Sequence, residues 1–383
     1  MNIFRNVFIS RSEELSRQTN ARQKLQDTLN LFLLPSPTLK QHIAMSENVL
    51  LPRESGEYIV KNAVNVEVKP SGIQNLTKEI VEGILSKRII VDQFIQHPLH
   101  PKSTDAHAVE WFFVVDTLNF CFWTPTDYNK YKVNGQSGYF ALCAAINRAL
   151  QDGLDVTNPK CYSTLSLEAL QDIFRSDDGK TRIPLLEERL NCLQQVGSIL
   201  LDKWQGKFEN VLKSAQGSAL KLLQTIAEQF PCFRDEAVYA GKRISLYKRA
   251  QVLIGDLWAC FGGRGLGNFK DLHHITMFAD YRVPQVLVHF GALEYSAKLM
   301  NILKADKILQ NGDPMEVEIR GASIYIVEQV KDAVLKLLTD KYPEIDTSTV
   351  NSIMIDHYLW GYRRQHSTDL EYIPFHKVLS IYY

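Results

Sequence analysis

Between residues 246 and 261 the apolar side chains Leu246, Ala250, Leu253, Leu257 and Phe261 recur at i, i+4, i+7, i+11 and i+15, the spacing that lines one face of a helix. A face this regular has to be buried, so packing against other helices organises the surrounding chain. The pattern stops at Gly262, Gly263, Gly265 and Gly267, where glycine can adopt the positive φ that ends a helix. A second arm is expected from about Thr276, with Pro284 near its first turn, where a missing N–H costs least. The segment therefore reads as two helices joined by a glycine-rich turn, with Lys248 on the first arm and Asp280 at the start of the second. The glycines contain G-x-G-x-G, but they follow a helical pattern. A dinucleotide-binding loop follows a strand and opens a helix, so no nicotinamide site is expected.

Helical periodicity recurs at 138–150, 165–174, 183–201, 203–230, 300–309, 324–338 and 353–360, which predicts a mostly α fold. Near-alternation of Tyr58, Val60, Val64, Val66 and Val68 predicts a short extended element ahead of a helix at 73–85. Residues 315–321 alternate charged and apolar side chains and read as a short exposed strand. With 383 residues, 45% of them hydrophobic, the chain can bury a large core as one domain or two. Proline breakers at 34–37 and 51–53 separate an N-terminal extension, 1–49, from a body, 50–383, which is one mass or two helical lobes with a site between them. The extension begins with cationic and apolar residues but soon gains Glu13 and Glu14; an ordinary N-terminal helix ranks ahead of an acid-poor transit peptide.

Several function classes are excluded. Forty-three basic residues balance 43 acidic ones, so no global field draws the chain to duplex nucleic acid. Six scattered cysteines form no C-x-x-C pair and are expected to be buried and reduced. With no signal-peptide pattern and no apolar run long enough to span a bilayer, a cytoplasmic location is expected. His97 and His100 have the spacing of helical metal ligands, but Pro98 and Pro101 interrupt the helix they would need, and no metal is expected. Asp177 and Asp178 precede Gly179 as turn formers.

The candidate residues have two readings each. Asp280 is either a helix cap or a catalytic carboxylate. Lys248 alone reads as a solvated or snorkelling helix lysine. Asp116 and Asn119 are polar groups inside the apolar run 114–123, where they are either satisfied core residues or the edge of a base pocket. In the pocket reading, Phe120 or Trp123 stacks on a heterocycle and Asp116 or Asn119 hydrogen-bonds its edge. Arg320 either orients an anion or, more often, forms a structural salt bridge, and 353–360 reads as a core helix with an aromatic face.

YKRAQ at 247–251, GDLW at 255–258, MFADYRVPQ at 277–285, VEIRG at 317–321, IYY at 381–383 and VVDTLNFCFW at 114–123 together resemble the queuosine salvage family, the queuosine 5'-phosphate N-glycosylase/hydrolases. The resemblance runs from about residue 58 to the end. It implies a helical fold similar to the helix-hairpin-helix DNA glycosylases. The implied activity is hydrolysis of queuosine 5'-monophosphate to queuine and ribose 5-phosphate, with a small nucleotide as partner and no cofactor. Asp280, by its match to MFADYR, is the expected catalytic carboxylate, stabilising an oxocarbenium-like state and activating water or attacking the sugar. Lys248 is expected to bind the phosphate or assist catalysis; Tyr281 and Arg282 are further substrate contacts, and Asp256 a structural or supporting acid. The competing reading is a non-catalytic nucleotide- or protein-binding module on the same scaffold.

Overall fold

The computed structural model describes residues 49–90, 96–124 and 130–383; the readings of the N-terminal extension fall outside them. Residues 49–383 form one compact unit. Among the described residues there are fourteen α-helices and four two-stranded sheets, a mostly α fold. No described helix is long and apolar enough to cross a membrane.

The chain begins with α1 (Pro52–Asn62), β1 (Val66–Val68), α2 (Pro70–Leu85) and α3 (Ala106–Thr117). The hairpin β2 (Lys132–Val133) and β3 (Gln136–Ser137) leads into α4 (Tyr139–Gln151), α5 (Pro159–Tyr162), α6 (Leu167–Ile173), α7 (Leu186–Lys203), α8 (Phe208–Ser214) and α9 (Ala219–Gln229). A second antiparallel hairpin, β4 (Glu236–Tyr239) with β5 (Lys242–Ser245), precedes α10 (Lys248–Cys260). Then follow α11 (Val283–His289), β6 (Leu293–Tyr295), α12 (Ala297–Lys304), β7 (Ile308–Leu309), α13 (Pro314–Lys341), α14 (Ser352–Gln365) and β8 (Lys377–Val378). β6 returns antiparallel to β1, and β8 lies parallel to β7. Helix α10 is buried continuously from Lys248 to Leu257, and α3 from Trp111 to Thr117, so these two are central helices, buried around most of their circumference.

Three readings are corrected. The 315–321 alternation lies inside α13, whose twenty-eight residues run unbroken from Pro314 to Lys341. The alternating charges are buried and paired: Glu316, Glu318 and Arg320 are each 1% exposed. Glu318 accepts from the Val64 and Asn65 amides at 3.1 and 2.6 Å and from Tyr239 Oη at 2.9 Å. Charges that find partners inside the protein leave no exposed face, so the strand-like pattern misleads. Gly321 marks the closest approach on that helix, since a Cβ there would stand 2.4 Å from Ile59 Cδ1 on α1. Tyr58 and Val60 are helical, and extended structure begins only at Val66. The stretch 203–230 is two helices, interrupted at Gly206 and Gly217, whose φ values of 69° and 75° are left-handed.

The two arms first noted are α10 and α11, joined by more than a glycine turn. Short 3-10 turns at Gly265–Gly267 and Leu272–His274 lead into extended backbone ahead of Asp280. Gln251 ties that extended run back to α10, its side chain accepting from Thr276 N at 2.8 Å and donating to Thr276 Oγ1 at 3.0 Å. Gly255 gives the returning chain room, because a Cβ there would meet Phe278 Cζ at 2.6 Å.

Arg320 forms the structural salt bridge, with Asp235 at 2.5 Å and Glu316 at 2.9 Å. Arg320→Leu leaves both carboxylates buried without a cation and is expected to cost about 3–5 kcal/mol, read as a lowered midpoint in urea unfolding.

Candidate active site

Two buried arginines shape the chain after α3. Beyond Thr117 the backbone leaves the helix, and its carbonyls need donors. Arg189 donates to the carbonyls of Leu118, Phe120 and Cys121, the last two at 2.5 and 3.1 Å. Arg249 donates to the carbonyls of Thr117 and Cys232, and to that of Asp116 at 3.4 Å. Cys121 is held at φ 43° and Tyr247 at φ 45°, left-handed conformations that cost about 1–3 kcal/mol each and persist only where neighbours over-determine them. Here those neighbours are Cys121 N donating to Tyr383 O at 3.0 Å and Tyr247 Oη donating to Glu236 Oε1 at 2.6 Å.

The Arg320–Asp235 pair fixes the other two strands of the site. Arg320 Nε donates to Ala279 O at 2.9 Å, one residue before Asp280, while Asp235 Oδ2 accepts from Lys248 N at 3.1 Å. The Tyr383 ring lies 3.9 Å from the same guanidinium. Five of the sequence strings, those carrying Lys248, Asp280, Arg320, Tyr383 and Asn119, thus meet in one place.

Four of them, those carrying Lys248, Asp280, Tyr383 and Asn119, line a cavity of about 1220 Å³, and Arg320 lies behind it. Of the candidates, Lys248, Asp280, Asn119, Phe120, Trp123, Tyr281 and Arg282 are on its wall, and so is Asp256. Asp116 lies behind the wall, fully buried, accepting from Asn119 Nδ2 at 3.2 Å. Asp280 Oδ1 accepts from the Arg282 and Val283 amides, both at 2.8 Å. It therefore holds the turn that leads into α11, whose N-cap position is Arg282, and its second oxygen is left for the cavity. Burial raises its pKa above the usual carboxylate range, against the two amides and the nearby Lys248 ammonium. Lys248 Nζ donates to Asn119 O at 3.3 Å; burial lowers its pKa, opposed by Asp280 and then Asp116.

Sequence reasoning missed Asp356, taken as part of a core helix. Its Oδ1 accepts from Phe278 N at 2.9 Å, and burial, then Asp280, pushes its carboxyl well up. Asp356, His357, Trp360, Arg363 and Arg364 all reach the cavity from α14. The signal was available: an acid and two arginines at helical spacing on an otherwise apolar face. Burial pushes Asp116 up to about 7. Deep carboxylates therefore surround a single lysine.

The cavity also carries cations. Arg282 Nη1 and Arg363 Nε meet at Gln285 Oε1, at 3.3 and 2.8 Å, while Lys130, Lys304 and Arg364 are exposed on the same wall. Lys377 is paired with Asp306 at 2.5 Å. Phe120 is 1% exposed and already carries the Arg189 and Arg249 guanidiniums, at 4.3 and 5.0 Å from its centroid. Trp123 Nε1 donates to Val378 O at 3.3 Å, and Tyr281 Oη accepts from Phe122 N at 3.2 Å. Neither His97 nor His100 faces this site. His97 stacks on Phe140 at 3.7 Å, and His100 Nε2 pairs with Tyr139 Oη at 3.0 Å.

A buried carboxylate beside an ammonium, with a cationic wall nearby, suits a phosphorylated ligand that develops positive charge during reaction. Comparisons with known proteins point the same way. Residues 99–383 match the family model described as queuosine salvage protein. The chain is 44% identical to the mouse queuosine 5'-phosphate N-glycosylase/hydrolase over 87% of its length and 99% of that protein's. The bovine protein of that name is 43% identical over 88% of this chain and 100% of its own. The fission yeast protein, Schizosaccharomyces pombe, is 36% identical over 86% and 99% respectively.

The two duties of Asp280, holding the turn ahead of α11 and facing the cavity, are separable. Asp280→Asn keeps an oxygen for the Arg282 and Val283 amides, whereas Asp280→Ala removes it. The alanine variant is expected to be less stable than the asparagine variant by about 0.5–2 kcal/mol, measured as the difference between their urea unfolding free energies.

Proposed function

Because the chain belongs to the queuosine salvage protein family, we propose that it hydrolyses the N-glycosidic bond of queuosine 5'-phosphate, releasing queuine and ribose 5-phosphate, with Asp280 as the catalytic carboxylate. The chain is an N-glycosyl hydrolase of queuosine salvage. The observation that carries the assignment to Asp280 is its geometry. One oxygen is held by two backbone amides at 2.8 Å, the other is left to the cavity, and Lys248 lines the same cavity.

As the bond to the base breaks, positive charge develops on the sugar, and a carboxylate already fixed in place stabilises it without reorganising. Asp280 serves that charge and the water or covalent step that follows. Lys248 is 7% exposed and lies among carboxylates, an unsuitable place for a second anion. Its part is to hold Asp280 ionised. The phosphate, carrying about −1.5 to −2 charges near neutral pH, goes to Arg282 and Arg363, which converge at Gln285. Arginine's planar fork matches a phosphate's oxygens. Tyr281, Asn119 and Trp123 then flank the base side of the cavity. Phe120 supports that wall, its ring engaged by the two guanidiniums. The six unpaired cysteines suit a reducing, cytoplasmic setting, and the balanced charge suits a free nucleotide over a duplex.

Mass-spectrometric detection of free queuine from queuosine 5'-phosphate tests the reaction. Wild type is expected to release it, and Asp280→Asn, at equal folded concentration, to lose at least about 10²–10³-fold in kcat. Release that survives in Asp280→Asn sends the catalytic role to another carboxylate. The pH profile tests the part given to Lys248. Activity requires ionised Asp280, so it falls as pH drops through that group's raised pKa. The ammonium opposes the rise, so Lys248→Met is expected to move the acid limb of kcat to higher pH. An unmoved limb would remove Lys248 from that role.

A further inference from the structure

Asp256 is a carboxyl that the reaction above does not use. It is 0% exposed, it lines the cavity, and neither oxygen has a hydrogen-bond partner among the described residues. A buried polar group left this way calls for a ligand or an unmade bond. The groups facing it are known from each element around it. Lys248 and Cys260 share its helix, Asp116 comes from α3, Tyr139 and Cys143 from α4, and Asp356 and His357 from α14. His357 Nε2 stands 3.8 Å from Oδ1. Burial pushes that imidazole down to about 4, so it brings no charge near neutral pH. Only Lys248 is cationic, and Asp280, Asp116 and Asp356 all draw on it. Burial, then Asp116, pushes the Asp256 carboxyl well above its ordinary range, which favours its protonated form.

The cavity therefore offers two kinds of contact: the cations Lys130, Lys304 and Arg364, which are exposed, with Arg282 and Arg363, and the fully buried, unpartnered carboxyl of Asp256. A ligand anionic at one end and cationic at the other is complementary to it. Queuosine 5'-phosphate is such a molecule. Its 7-deazaguanine carries an aminomethyl group at position 7, whose secondary amine, like an ordinary alkylamine, is protonated at neutral pH. Guanine nucleotides have no such group. Lys248 and Asp256 lie on the same helix, separated by about 12 Å of rise, so their side chains can flank opposite ends of one flat base.

Resting on the proposed reaction, we propose that Asp256 is a specificity-determining residue that pairs with the secondary ammonium of the queuine side chain. Binding exchanges one interaction for another: the carboxyl proton leaves to solvent, and the ligand's N–H⁺ donates to the carboxylate that remains.

Calorimetric titration of the wild-type chain with queuine, in buffers of different ionisation enthalpy, reads the proton directly. About one proton released per queuine bound is expected, and none with 7-methyl-7-deazaguanine, which lacks the amine. In Asp256→Asn the release is expected to vanish, and the affinity ratio of queuine to the amine-free base to fall at least about tenfold. Proton-neutral binding of queuine by wild type, or an unchanged ratio in a folded variant, overturns the assignment; if the variant does not fold, the wild-type proton count decides alone. Queuine release from queuosine 5'-phosphate by the wild type is measured alongside. Release with proton-neutral binding overturns only the role of Asp256, whereas no release overturns the reaction and this role together.

Discussion

The site depends on one buried guanidinium. Arg320, 1% exposed near the N-terminal end of α13, donates through Nε to the carbonyl beside Asp280 and through its terminal nitrogens to Asp235 and Glu316. Asp235 in turn accepts from the backbone of Lys248. Two segments distant in sequence are thereby set in one frame by a single ion pair. A pair buried this deeply gains little net stability over a well-packed apolar substitute, since both charges must be desolvated. What it provides is position: the planar fork accepts few arrangements of its partners.

Arg189 and Arg249 do the same for the opposite wall. Both are 0% exposed, and both donate to carbonyls between Asp116 and Cys121, Arg189 reaching Pro184 and Arg249 reaching Cys232 as well. That segment leaves helix α3 without entering another helix, so its carbonyls lack intrahelical partners. Without the two arginines it would need water, and the wall of the cavity would be wet and mobile. With them the segment is buried, and the Lys248 ammonium and the neighbouring carboxylates interact through a medium that weakens their fields far less than water does.

Burial then decides the charge state of the interior. Asp116, Asp256, Asp280 and Asp356 are all pushed upward, chiefly by desolvation, while Lys248 is pushed down. Asp280 differs from the other three in accepting two backbone amides and in lying partly open to the cavity. Those two features favour its ionised form relative to the other three.

The helices at 138–150, 165–174 and 183–201 were legible because an amphipathic face repeats every three to four residues whatever the rest of the chain does. The family was legible too, since its strings stand in order along the chain. So was the position of Asp280 near the start of a helix, although the N-cap itself is Arg282 and Asp280 instead holds the preceding turn through the amides two and three residues on. The strand expected at 315–321 failed because its charges are paired with Asp235, Asn65 and Tyr239, far away in sequence. Asp356 passed for a core residue because nothing in its own helix shows that Phe278 and Asp280 lie against it. Local periodicity and local hydrogen bonds are properties of neighbouring residues, and the sequence by itself determined them. Which charges meet, which are desolvated and which side chains share the cavity depend on contacts between distant segments, and only the tertiary structure decided those.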